Sequence, residues 1–138
     1  MTQEEKQLLL KDLCARLPYK VKIEITWWVM DEGTCMNTTL EPDHIDQLLN
    51  DEDGDAEIKP YLRPMSSMTE EECNMVEEIL GDKCIFDFMS NGDIILKQGQ
   101  FSQNKLAKLY DYYNSIHLDY RGLIERGLAL KALEGMYK

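Results

Sequence analysis

Asp51, Asp53 and Asp55 stand in "NDEDGDAE" at the one-three-five spacing by which an EF-hand loop offers its first carboxylates to calcium. The match stops there. The glycine falls at the fourth position of the loop, not the sixth, and the twelfth position, which should supply a bidentate glutamate, is Leu62. The stretch reads as a solvated acidic turn. His44 and His117 are isolated, and neither falls at zinc spacing from Cys35, Cys73 or Cys84. "SNGD" and "LGDK" lack the spacing of a phosphate loop. A cysteine–histidine nucleophile would have to be assembled in space, and any of four cysteines could meet either histidine. The expectation is a chain with no catalytic constellation, no metal and no cofactor.

Recognition chemistry is better represented. In "AEIKPYLRPMSSMTEEE", residues 56 to 72, Lys59, Tyr61 and Arg63 are spaced by Pro60 and Pro64. Tyr, Trp and Arg are the side chains that most often dominate protein interfaces. The candidate partner-binding residues are therefore Trp28, Tyr61, Arg63, Tyr120 and Arg121. The function expected is a non-catalytic protein-interaction module with a protein partner, and self-association is open. Two alternatives stand beside it. One is an acidic inhibitor that imitates nucleic acid against a host enzyme. The other is a small enzyme with an unrecognised site.

Charge narrows the partners. The net charge is −11 over 138 residues, and ten acids with no Lys or Arg lie between Asp31 and Glu57. Such a surface repels nucleic acid and anionic membranes. No apolar run approaches the roughly 18 residues that a spanning helix needs. "MTQEEKQLLLKDLC" has acids near its start and no small-residue cleavage site, so it does not read as a secretory signal. The expected compartment is the cytoplasm, which makes the cysteines free thiols.

The elements that must position these residues follow from periodicity. Thr2 and Glu5 have capping-box spacing for a helix from about Gln3 to Leu17, with Leu9, Leu10, Leu13, Cys14 and Leu17 on its apolar stripe and Pro18 as the stop. "YKVKIEITWWVM" alternates as a half-buried strand that points Trp27 inward and Trp28 and Met30 to the polar face, where either a loop or helix covers them or they form a partner surface. "DEGTC" reads as a turn and Met36–Leu40 as a short strand. Pro42 suits the first position of a helix reaching about Asn50, with Ile45, Leu48 and Leu49 inward. The two prolines predict an extended crossing over the surface, anchored by Ile58, Tyr61 and Leu62 or Met65. Thr69 and Glu72 form a second capping box, Met68 and Cys73 a hydrophobic staple, and the helix they open ends at Gly81. Asn91-Gly92 predicts a hairpin between Cys84–Met89 and Asp93–Lys97. Ser102 caps a helix to about Ile116, with Leu106, Leu109, Tyr110 and Tyr113 inward and Tyr112 pointing elsewhere. Asp119 to Gly127 reads as one further short helix.

Three segments carry a resemblance: "EEKQLLLKDLCARLPY", "IKPYLRPMSSMTEEE" and "DYRGLIERGLALKALEGMYK". Together they resemble a family of small uncharacterised proteins recurrent in gut Bacteroidetes and their phages and prophages. The resemblance implies a bacterial or phage accessory gene and assigns no activity or site. The fold expected is a single α+β domain, a small and mostly antiparallel sheet with three to five helices. Its sheet is expected to join the strand from Tyr19, the short strand near Met36 and the Asn-Gly hairpin.

Overall fold

The computed structural model describes residues 2–30, 32–50, 56–80, 86–88, 94–96 and 103–137. The acidic turn at 51–55, the helix end at Gly81, the Asn91-Gly92 turn and the Ser102 cap expected from the sequence lie outside these. The described chain is a small α+β domain. The first helix, α1 (Gln3–Arg16), starts where expected, with Thr2 Oγ1 accepting from the Glu5 N–H at 3.1 Å. A 3-10 turn at Leu17–Tyr19 ends it, and Lys20 takes the left-handed conformation that reverses the chain.

Strand β1 (Lys22–Val29) then forms a hairpin with β2 (Glu32–Thr39), their register running from Val29 opposite Glu32 to Lys22 opposite Thr39. Met30, at φ 51, supplies the left-handed residue that a two-residue hairpin turn needs. β2 therefore begins four residues before Met36, inside the expected turn, because pairing with β1 extends it. Helix α2 (Pro42–Asn50) follows with proline at its first position.

The proline-spaced segment is not a surface crossing. It is β3 (Ala56–Leu62), central in a sheet of order β2-β1-β3-β6, where β6 is Leu130–Lys131. β3 runs antiparallel to β1 and parallel to β6. A central proline is tolerated for a geometric reason. Leu40 N donates to Val21 O at 2.9 Å, so the odd residues of β1 turn their backbone groups toward β2 and the even ones toward β3. Ile23 and Pro60 are opposite each other, which makes them a pair with no mutual hydrogen bond, and the missing N–H of Pro60 faces away from β1. On its other side β6 begins only opposite Tyr61.

α1 and α2 cover one face of this sheet. The core between them holds Leu9, Leu13, Val21, Ile23, Ile25, Leu48, Ile58 and Leu62, closed by Leu123 and Leu128. Each such side chain contributes about 1.5–3 kcal/mol on burial. Cys14 is exposed rather than buried, and Leu49 is exposed too. In α1 the inward edge is Leu9–Asp12–Leu13–Arg16, which rotates Cys14 to solvent.

A second core lies between α3 (Glu70–Leu80) and α4 (Gln103–Ser115) and contains Met65, Val76, Leu109, Tyr113 and Leu118. The expected capping box is present: Thr69 N donates to Glu72 Oε1 at 2.8 Å, and Glu72 N to Thr69 Oγ1 at 3.2 Å. In α4 the roles of two tyrosines are exchanged. Tyr112 packs against this core, and Tyr110 is largely exposed beside Tyr120.

The hairpin strands β4 (Phe86–Phe88) and β5 (Ile94–Leu96) pair with each other as a separate two-stranded sheet and do not join the main one. Residues 119–127 form no helix. Gly122 sits at φ 72, which a right-handed helix cannot propagate. Asp119 caps a turn instead, accepting from Leu123 N at 2.8 Å and Ile124 N at 2.9 Å.

Candidate partner-binding edge

Among the described residues the sheet ends at β2. By the alternation fixed through Leu40 and Val21, Thr34, Met36 and Thr38 turn their backbone groups to β1, and Gly33, Cys35, Asn37 and Thr39 turn theirs outward. Among the described residues no strand pairs with that outer side. The residues from Glu32 to Asn37 are exposed. Natural edges are blunted by lysine, proline or inward charge. From Gly33 to Thr39 this edge carries none of these.

Large apolar side chains flank it. Met36 is 46% exposed, Trp28 49% and Met30 95%. Trp28 lies opposite Gly33, and its ring rests over that glycine: a Cβ added to Gly33 would sit 3.0 Å from the ring carbon Cζ3. The glycine is thus a seat for the indole, and of the two expectations for Trp28 and Met30 the exposed one holds among the described residues. On the same face Glu24, Thr26, Asn37, Cys35, Glu57 and Lys59 make a polar sheet surface, with Lys59 Nζ 3.3 Å from Glu57 Oε1.

Glu32, the first residue of β2, is exposed, and past the other end Glu41, two residues beyond Thr39, is exposed as well. Lys22, beside Thr39, is the one cation in the β1–β2 register.

The other four sequence candidates do not gather there. Tyr61 is buried, and its hydroxyl donates to Asn37 Oδ1 at 3.0 Å and Glu24 Oε2 at 3.2 Å, so it ties three strands together. Burial and the neighbouring Glu24 carboxylate raise its pKa. Arg63 forks onto Glu72 at 2.7 and 2.8 Å and also donates to Ser67 O and Ile116 O. That hydrogen-bonded guanidinium holds the Glu72 carboxyl down at about 2. Tyr120 stacks on Tyr110, with the Arg16 and Arg121 guanidinia 5.4 and 5.0 Å from its ring centre. Arg121 Nε lies 3.3 Å from Asp12 Oδ1. These residues are bound up in holding the chain together, and Trp28 alone of the five presents a free apolar surface.

Sequence reasoning missed the run Gly33–Thr39. Its signal was present as seven uncharged residues inside the acidic block. It also missed the buried pair Asp12–Arg16, where Arg16 Nε donates to Asp12 Oδ2 at 2.8 Å and Nη2 to Leu118 O at 2.6 Å.

A groove of about 570 Å³ opens between the loop after β3 and the C-terminal tail, lined by Arg63, Glu72, His117, Lys131 and Tyr137 among others. Its ionic groups Arg63 and Glu72 satisfy each other. Among the described residues no group of three His, Cys, Asp or Glu side chains is placed to hold a metal ion. No helix among them is long and apolar enough to cross a membrane.

Fold and edge define a small α+β domain whose β2 edge is unpaired among the described residues. No family model, curated protein or solved structure matches the chain.

Proposed function

We propose that this chain is a non-catalytic protein-interaction module whose partner adds a strand to the outer edge of β2. The observation that carries the reading is the uncharged run Gly33–Thr39, with four residues' backbone groups turned outward and Trp28, Met30 and Met36 beside them. Strand addition draws affinity from main-chain hydrogen bonds and specificity from alternate side chains. An exposed tryptophan seated on a rigid strand is a suitable anchor.

The test is differential capture. Tagged wild type, Cys35→Pro and Trp28→Ala are each exposed to the same cell lysate. Cys35→Pro removes an outward N–H and spares the β1 ladder. A protein held by wild type and lost from both variants supports the edge. A protein held equally by all three overturns it.

A further inference from the structure

Resting on that reading, we infer that the strand received by β2 belongs to a partner with an uncharged, β-branched centre and basic residues at both ends. The edge itself dictates the centre. Gly33, Thr34, Cys35, Met36, Asn37, Thr38 and Thr39 offer no charge to pair with, and their exposed backbone groups ask for an extended segment. Seven strand residues span about 23 Å.

The rim dictates the ends. Glu32 directly precedes the run, and Glu41 follows it by two residues; both are exposed. The run between them is longer than the Debye length of about 8 Å at physiological salt, so each carboxylate acts on its own end of an added strand. Lys22, opposite Thr39, offsets part of the charge at the second end. A partner lysine or arginine beyond either end of the added strand would meet a carboxylate on a neutral ladder. An acidic flank would meet repulsion at the same two places.

A second copy of the chain fits less well. An antiparallel copy centred on Met36 would set Glu32 opposite Leu40 of its partner and next to that partner's Glu41, acid against acid at both ends of the ladder. Centring on Cys35 separates these residues, but both copies still carry a charge of −11.

The experiment uses three labelled peptides that share a Thr-Val-Thr-Val-Thr-Val centre. Paired lysines, paired serines or paired glutamates flank it at both ends. Binding to the full chain is read by fluorescence anisotropy at about 50 mM and about 500 mM salt, with Cys35→Pro as the blocked control. The lysine peptide is expected to bind about tenfold more tightly than the glutamate peptide at low salt, with the gap closing at high salt. Cys35→Pro is expected to lose all three. Equal binding of the three peptides, still blocked by Cys35→Pro, overturns the basic partner and leaves strand addition standing. Binding of any peptide unaffected by Cys35→Pro overturns strand addition itself. A wild type that takes up no peptide and sediments as a dimer dissolved by Cys35→Pro, or that forms a Cys35 disulfide between copies, gives the edge to a second copy and overturns the inference.

Discussion

The hydroxyl of Tyr137 donates to the carbonyl of Tyr61 at 2.6 Å and accepts from the Lys22 N–H at 3.0 Å. Continued by one pair, the β1–β3 register would set Lys22 opposite Tyr61, so a phenol oxygen stands where a ladder bond between them would form. The C-terminal tail is thereby built into the sheet. Its ring is held from the other side by His117, stacked at 3.8 Å between ring centres.

Tyr137→Phe should cost about 1–2 kcal/mol, because the Lys22 N–H and the Tyr61 carbonyl both lose a partner. Urea unfolding measures it. If the strands close on each other and restore the direct bond, the loss falls near zero and amide exchange at Lys22 stays slow.

Acid should weaken the fold in two steps. His117 occupies a left-handed position at φ 63, closing α4 through Leu118 N to Tyr113 O at 3.0 Å and its own N–H to Asn114 O at 3.2 Å. Burial, with Arg16 and Arg63 nearby, lowers its pKa to about 4. The unfolded chain, with histidine near 6.5, binds the proton first, so stability contributed by neutral His117 is lost as pH falls from about 6.5 to about 4. Glu72, depressed to about 2, contributes stability above the ordinary carboxylate range that is lost as pH falls further. His117→Gln should flatten the first step and leave the second, as read from unfolding midpoints across pH.

Arg63→Lys should cost about 1–2 kcal/mol, since an ammonium cannot fork onto both oxygens of Glu72. The same variant should leave capture at the β2 edge unchanged, because Arg63 is spent on Glu72, Ser67 and Ile116. Thermal unfolding and capture, measured on one preparation, separate the two roles.

Asp12→Ala should destabilise by about 3–5 kcal/mol, because it strands the fully buried Arg16. The double variant Asp12→Leu with Arg16→Met should recover much of that loss, since packed apolar groups replace a costly buried pair. A double variant as unstable as Asp12→Ala would show that the bond from Arg16 to Leu118 O carries the stability.

Prolines distinguish the two sides of β2. Thr34→Pro deletes an N–H directed at β1 and should cost about 3 kcal/mol or more, while Cys35→Pro, one residue on, should cost about 1 kcal/mol. Equal costs would mean that the assigned alternation is shifted by one.

Local chemistry made several parts of this molecule legible. Thr2, Pro42, Thr69 and Glu72 act within one turn of themselves, so sequence alone placed three helix starts. The alternation of Val21, Ile23 and Ile25 placed the buried face of β1 in the same way. The anchors Ile58, Tyr61, Leu62 and Met65 were also readable as core residues, although their segment was not readable as a central strand.

What only the tertiary structure decided concerns groups that meet across long separations. Pro60 can sit in a central strand because the register with Ile23 turns its missing N–H away from β1. Arg16 is buried because Leu118, far along the chain, offers a carbonyl to it. Arg63 and Tyr61 look like free recognition residues in sequence and are consumed by Glu72, Glu24 and Asn37 in space. The β2 edge, unpaired among the described residues, was hidden for the same reason: sheet order is a property of which strands find one another, and periodicity within a strand carries no information about its outer neighbour.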